Sequence, residues 1–297
     1  MSTSEPSWEL YETFLSVMRT GSLSGASRAL AVAQPTVRRR VEALEGSLGA
    51  VLFTRATNGL VPTDAARVTR PHAEAMAASA RALVRATSGP LAAERGTVRL
   101  TASEIIGLEV LPGLLTPLRA KWPELQLELA LSNRLEDLLR RDADVAVRMT
   151  PPTQSSLVAR KVGVIPVGLY AHVDYLARHP APKKPAELLA GHALIGADRD
   201  RGFIAGLAMM GLTVSARDFA IRTDSDGAQL NAVRAGLGIG VCQVPLARRT
   251  ASLVRVLPRI VFPLETWVVM HEDQRSVRRV RLVFDHLVSS LTAYARG

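Results

Sequence analysis

Between Ser22 and Leu48 the apolar residues recur at a spacing that two helices joined by a tight turn satisfy and an extended chain does not. Leu23, Ala26, Ala29 and Leu30 form one stripe, and Ser22 is placed to cap its helix. Ala31-Val32-Ala33 then turns the chain into "QPTVRRRVEALE", where Pro35 suits a first-turn position that needs no amide hydrogen. An earlier helix over residues 8–18 carries Leu10, Phe14, Val17 and Met18 at the same spacing and stops at Thr20-Gly21-Ser22. Three helices in that order read as a helix-turn-helix. Ala33 departs from the pattern, because Ser or Thr there caps a helix better.

The third helix raises a question of charge, since Arg38, Arg39 and Arg40 stand in a row. Turning about 100° per residue from Val37, Val41 and Leu44 fall beside it and Arg39 falls nearly opposite. Arg39 must therefore face outward, flanked by Arg38 and Glu42 with Thr36 on the other side. Arg40 sits near enough to the stripe for its stem to pack while its head reaches water. A solvated face laced with Glu42 and Glu45 is the plain reading of such a triplet; the preceding helix and turn favour one that enters a groove. In the DNA major groove Arg reads guanine with two hydrogen bonds, Gln34 pairs with adenine or reaches a phosphate, and Thr36 offers a hydroxyl or methyl contact. The N-terminal half of the helix is the expected contact zone.

Asn58-Gly59 marks a turn between two short extended pieces, a wing, after which a long helix is expected from Asp64 to Ala86. Its seam of Ala65, Val68, His72, Met76, Ser79, Leu83 and Ala86 is too thin for a globular core and suits packing against a twin. Pro71 predicts a kink or a late start. "TSGPLAAERG", residues 87–96, reads as a linker, with a boundary near residue 90.

Beyond it strand-like and helix-like segments alternate: "TVRLTAS", "EIIGLEVLPGLLTPLRAKW", "LQLELALS", "RLEDLLRR", "DVAVRM", then "DFAIRTDS", "GAQLNAVRAG", "IGVCQV". "WVVMHED" and "VRRVRLVFDHLVSSLTAY" supply a last strand and helix. The pattern is an α/β domain, accounted for by two lobes with a crossover. Ligands in such lobes collect outside the carboxyl ends of strands, which here carry Thr101, Ser103, Ser132, Asn133, Arg148, Asp224 and Ser225. Ser103 and Ser225 are each placed to cap the next helix, where free amides and the helix dipole attract a carboxylate, so a small organic acid is one expected ligand. Glu104 and Asp224 at the same mouth suit an amine instead.

Composition narrows the classes. The 297 residues are 47% hydrophobic, enough for sizeable cores and against disorder. A net charge of +10 suits an anionic partner, yet residues 1–96 hold 11 Arg against 8 acids, so position matters more than total. The one cysteine, Cys242, excludes an intrachain disulfide and a Cys-rich metal site and is expected buried. G-x-S-x-G, H-E-x-x-H and Cys-x-x-Cys are absent and the six histidines are scattered, so no enzyme, metal or cofactor is expected. "GLGIG", residues 236–240, lacks the third glycine of a dinucleotide loop and reads as a helix-end turn. Few aromatic residues disfavour an RNA reader. A start without a basic, apolar leader and the shortness of the greasiest segment, "FIAGLAMMGLTV", predict no membrane partner and a cytoplasmic place.

The stretch "FLSVMRTGSLSGASRALAVAQPTVRRRVEALEGSLGAVLF" resembles the DNA-binding domain of LysR-type transcriptional regulators, in its glycine-serine lead, Ala26 and Leu30, Gln34-Pro35, Leu44-Glu45 and Leu48-Gly49 through Leu52-Phe53. "VRLTASEIIGLEVLP", "DLLRRDADVAVRM" and "RAGLGIGVCQVPLA" are similar to that family's effector-binding domain. The resemblance implies a multi-domain chain: an all-α winged helix-turn-helix over residues 1–62, a dimerising linker helix over 63–90, and two periplasmic-binding-protein-like α/β lobes over 91–297. It implies DNA contacts at Gln34, Pro35, Thr36, Arg38, Arg39 and, in the wing, Arg55; Arg38 stands where the family usually has Ser. "PTDAARV" likewise replaces the usual Thr-Glu-Ala-Gly, and Gln243 takes a place where Pro is frequent, its amide expected in the cleft. A double-stranded DNA partner, a small-molecule effector and self-association as dimer or tetramer follow as expectations. The rival is a stand-alone solute-binding protein with no role on DNA.

Overall fold

The structure, a computed structural model, describes residues 5–56, 59–88, 90, 92–133, 143–152, 154, 156–209 and 211–296. Contacts divide the chain into a smaller unit that ends at Val84 and a larger one that begins at Arg85.

In the smaller unit α1 (Trp8–Thr20), α2 (Leu23–Leu30) and α3 (Gln34–Leu48) enclose a core of Phe14, Val17, Ala26, Val37, Val41, Leu44 and Leu52. Ser22 Oγ accepts the Gly25 amide at 3.0 Å and so caps α2. The following α3 has no side-chain cap at Ala33 and starts with Pro35 in its first turn. Between them Ala31 takes a left-handed conformation, φ 53°. The antiparallel pair β1 (Phe53–Ala56) and β2 (Gly59–Pro62) forms the hairpin; Asn58, expected in its turn, lies outside the described residues. Gly59 has φ +132°, and a Cβ there would stand 2.5 Å from the Gly21 carbonyl oxygen, which accepts the Leu60 amide at 2.8 Å. The hairpin thus presses its backbone against the turn between α1 and α2, and only glycine fits. Next comes α4 (Asp64–Ala86), which runs through Pro71 from Asp64, so the expected late start does not occur. Ala66 and Ala73 enter the core, while Val68 and Leu83 are 67% and 66% exposed.

The larger unit is built on a mixed sheet. β3 (Gly96–Ala102) lies parallel to β4 (Leu125–Leu131) and β5 (Val145–Arg148). β6 (Leu157–His172) is a sixteen-residue strand that leaves this first lobe for the second. There follow α6 (Val173–Arg178), α7 (Pro185–Gly191), β7 (Leu194–Gly196), α8 (Arg201–Met209), β8 (Phe219–Arg222), α9 (Asp226–Arg234), β9 (Gly240–Gln243), α10 (Val244–Ala247) and β10 (Leu253–Val256). β11 (Phe262–His271) returns, antiparallel to both β6 and β5. The pairing order is β10-β6-β11-β5-β3-β4, with β9 on β6 and the separate pair β7-β8 in the second lobe. α5 (Leu111–Lys121) and α11 (Arg278–Arg296) seal the first lobe with Leu111, Leu118, Val283, Leu287 and Leu291. The second lobe has its own core around Leu169, Leu194, Phe219 and Ile239.

Three boundaries differ from expectation. "EIIGLEVLPGLLTPLRAKW" is not one α-helix: a π-helical turn, Ile106–Val110, precedes α5. The strand in "DFAIRTDS" stops at Arg222, because Thr223 and Ser225 turn inward to serve α9. The last strand begins at Phe262, five residues before Trp267. "RLEDLLRR" lies outside the described residues. "GLGIG" is a turn, with Gly236 at φ +72° after α9.

Gly59→Ala tests the hairpin's approach. It should destabilise the smaller unit by about 2 kcal/mol, from strained backbone and the clash with Gly21, read as a lowered midpoint in thermal circular dichroism. An unchanged midpoint would mean that the hairpin is free to back away.

Candidate functional site

In the smaller unit the stripe Val37, Val41 and Leu44 is buried, and this rotates α3 so that Gln34, Pro35, Arg38 and Arg39 are exposed and Thr36 is half-buried. The three arginines separate. Arg40 Nη2 donates to Glu9 Oε2 at 2.6 Å, tying α3 to α1. Arg38 and Arg39 have no ion pair among the described residues. Glu45, a candidate partner for them, is used elsewhere: its Oε1 accepts the amides of Leu52 at 2.6 Å and Phe53 at 3.2 Å and so holds the root of β1. Arg55, on β1 opposite Leu60, is exposed as well. The unit thus presents two uncompensated guanidinium groups on the first half of a helix, and a third on the hairpin.

The larger unit contains a cleft of about 500 Å³ at the carboxyl ends of β3, β4 and β5, facing α8, α9 and β9. Of the expected residues, Ser103, Ser132, Asn133, Arg148 and Gln243 line it. Thr101 is one layer behind, 2% exposed, where its Oγ1 accepts from Arg148 Nη2 at 3.0 Å. Asp224 and Ser225 are not lining residues. Asp224 Oδ1 accepts the amides of Asp198, Arg199 and Asp200 at 2.8–3.1 Å, which closes the loop before α8 and holds its carboxyl below the ordinary range. Ser225 Oγ accepts the Ala228 amide at 3.2 Å and caps α9.

The expected carboxylate site at this helix end is already filled from within. Glu104 Oε2 accepts the Asp226 amide at 2.8 Å and Oε1 accepts the Ser225 hydroxyl at 2.7 Å. Ser103 does not cap its own helix; the Glu104 amide goes to Asn133 Oδ1 at 3.0 Å. A second tie joins the same segments, since Arg234 Nη1 and Nη2 each reach a Glu109 carboxylate oxygen at 2.7 Å. The Arg234 hydrogen bonds hold the Glu109 carboxyl below its usual range.

Sequence reasoning missed the face of α9 that lines the cleft, Asp226, Gln229 and Leu230, together with Met149, Phe203 and Leu264 from other elements. The i, i+3, i+4 spacing on α9 was the available signal. Burial pushes the Asp226 carboxyl up, a hydrogen bond from Asn133 Nδ2 at 3.0 Å opposes this, and Glu104 and Asp200 nearby add to the rise. Cys242 lines the cleft with its thiol pushed by burial up to about 12, which suits a packed side chain and not a nucleophile. Among the described residues no group of three or more His, Cys, Asp or Glu could hold a metal ion, and no helix is long and apolar enough to cross a membrane.

Asp226→Asn follows from this burial. A carboxyl raised in the folded state disfavours folding once pH exceeds the unfolded value near 3.8, so the neutral amide should raise the urea midpoint at pH 7. The gain should shrink to nothing as pH falls through that value, where wild type is protonated folded and unfolded alike. A pH-independent difference would assign the effect to packing.

Residues 8–67 match the model of the bacterial regulatory helix-turn-helix proteins of the lysR family, and residues 92–292 match the LysR substrate binding domain. An HTH-type transcriptional regulator of Xanthomonas campestris pv. campestris (strain 8004) is 33% identical over 175 residues, 59% of this chain and 51% of that protein. The chain therefore aligns with about half the length of that relative. The probable HTH-type transcriptional regulator LtrA of Klebsiella pneumoniae is 24% identical over 96% of this chain and 94% of its own. Among solved structures, CbnR, a LysR family transcriptional regulator, superposes with a TM-score of 0.67 at 19% identity, covering 96% of this chain and 99% of that one. The full-length Vibrio cholerae virulence activator AphB gives 0.62 at 23%, covering 95% and 99%. At these identities the structural likeness speaks for the fold alone.

Proposed function

From the premise that this chain belongs to the LysR family of bacterial regulatory helix-turn-helix proteins, we propose that it is a sequence-specific, DNA-binding transcriptional regulator whose larger unit answers to a small molecule. The observation that carries the reading is the pair Arg38 and Arg39: exposed, without an ion pair among the described residues, on the first half of a helix whose other face is locked into the core. Gln34, Pro35, Thr36, Arg38 and Arg39 meet base edges and phosphates in the major groove, and Arg55 on the hairpin meets a phosphate or the minor groove. A CbnR structure solved with its target DNA, at TM-score 0.65 and 19% identity, supports the fold's fitness for this role.

The domains run as 1–62 for DNA, 63–90 for the linker helix and 91–297 for the effector. In the cleft Arg148 offers positive charge to a carboxylate, and Ser103, Ser132, Asn133 and Gln243 offer hydrogen bonds. The exposed seam of α4, Val68, His72, Met76, Ser79 and Leu83, serves self-association as a dimer or tetramer. Such a protein works where the chromosome is, in the cytoplasm. A stand-alone solute-binding protein accounts for the cleft and leaves the reader helix without a task, and so does an enzyme.

Fluorescence polarisation on a footprinted operator tests the reading. Arg39→Ala should weaken binding by roughly 1–3 kcal/mol if it reads a base, or flatten the salt dependence by about 0.9 in log–log slope if it touches a phosphate. Arg38→Ala should act likewise, whereas Arg40→Ala, which breaks only the pair with Glu9, should cost at most about 1 kcal/mol of stability. Unchanged affinity and slope in both Arg38 and Arg39 variants would reject the groove-facing role.

For the seam, Val68→Asp combined with Leu83→Asp should shift sedimentation velocity toward the monomer. Wild-type size in the double variant would move self-association to another surface.

A further inference from the structure

Two cleft glutamines each spend one end of the amide within the protein. Tyr294 donates its hydroxyl to Gln243 Oε1 at 2.8 Å, and in this arrangement Nε2 is the free end. Gln243 is 6% exposed and lines the cleft, and among the described residues its Nε2 has no hydrogen-bond partner. Gln229 is arranged in the opposite sense: Nε2 donates to the Thr223 carbonyl at 2.8 Å, leaving Oε1 as the free end. It is 3% exposed and also lines the cleft. Neither end is sealed from the cleft, so a ligand or water there can meet each of them. One end offers a donor and the other an acceptor.

The charges sort the same way. Arg148 and the Gln243 amide nitrogen come from the strands β5 and β9. The acceptors share one face of α9, where Asp226 and Gln229 are three residues apart. Asp226 Oδ2 accepts from Asn133 Nδ2, and its other oxygen has no hydrogen-bond donor among the described residues. Glu104, by contrast, is spent on α9. Asp200 also lines the cleft, with Oδ1 accepting the amides of Gly202 and Phe203 at the start of α8. Ser103, Ser132, Asn133 and Thr150 add polar atoms, and much of the rest is apolar, including Ile105, Met149, Phe203, Leu207, Phe262 and Leu264.

We propose that the cleft's ligand is an amino acid or a close relative, a compact molecule bearing a carboxylate, an ammonium group and an apolar side chain. This rests on the reading of the larger unit as an effector domain. The carboxylate lies against Arg148 and Gln243 Nε2, the ammonium against Asp226 Oδ1 and Gln229 Oε1, and the side chain among Phe203, Leu207, Phe262 and Leu264. A carboxylic acid without the amine leaves two acceptors on α9 unmet beside the negative charge of Asp226. The upward push on the Asp226 carboxyl, caused by burial and by Glu104 and Asp200, is what an ammonium ion relieves.

Calorimetry on the full chain tests this with matched probes: each of the twenty standard amino acids, and for every binder its deaminated acid and its decarboxylated amine. At least one apolar amino acid should bind, with both truncated partners at least tenfold weaker. Asp226→Asn should weaken that amino acid at least tenfold and leave the deaminated acid unchanged. Arg148→Gln should weaken both. A deaminated acid that binds as well as its parent, an Asp226→Asn variant that binds the amino acid normally, or a panel with no binder overturns the proposal. Operator binding by the same preparation reports separately on the regulator, so loss of the amino-acid arm and loss of the regulator reading are told apart.

Discussion

The burial of Val37, Val41 and Leu44 is the constraint from which the smaller unit's chemistry follows. Three apolar contacts on one side of α3 fix its rotation, and rotation decides the fate of each neighbouring charge. Arg40, beside the stripe, finds Glu9 on α1 and becomes part of the packing. Arg38 and Arg39, away from it, have no such partner within reach among the described residues. Glu45 lies where it can reach the Leu52 and Phe53 amides, so the helix also sets the root of the hairpin that carries Arg55. A run of three identical residues thus yields one structural group and two available cations, and packing makes the distinction before any partner arrives.

In the larger unit the equivalent decision is made by hydrogen bonding. α9 is bound at its start to Glu104 and near its end to Glu109, both on the segment that follows β3. These are charge-assisted contacts, each stronger than a neutral hydrogen bond, and they hold one face of α9 toward the cleft. With the helix end closed by Glu104, the dipole is no longer open to an external carboxylate. The anion-attracting features that remain are side chains, Arg148 and Gln243, and the opposite wall carries acceptors.

What the sequence made legible was whatever depends on neighbours within a few residues. The α3 stripe, the Ser22 cap, Pro35 in the first turn and the glycine turn after α9 follow from local spacing, and the structure agrees with each. Tertiary choices were not legible. Asp224 and Asp226 differ by two positions, yet one is drawn to three loop amides and the other to the cleft, and nothing local separates them. The strand β6 escaped notice although it is the longest, because Gly163 and Pro166 interrupt its pattern. Gly163 adopts φ +149° beside the register shift between Thr266 and Trp267, whereas Pro166 faces Pro263 across the pair in regular register. Gln229 was invisible for a third reason: a glutamine on an amphipathic helix looks like surface until the opposite wall is in place.

The placement of donors and acceptors also bears on how a ligand could signal. A ligand changes a conformational equilibrium only by its difference in affinity between the two states. One that touched a single wall would bind equally well whether or not α9 moved relative to the strands, and would shift nothing. A molecule held by Arg148 on β5 and Asp226 on α9 is different in kind, since either contact lengthens when those elements separate. The strands β6 and β11, which run between the lobes, are the covalent path along which such a difference is felt. For the proposed ligand, bridging two walls with opposite charges is therefore both the basis of recognition and the condition for recognition to have any consequence.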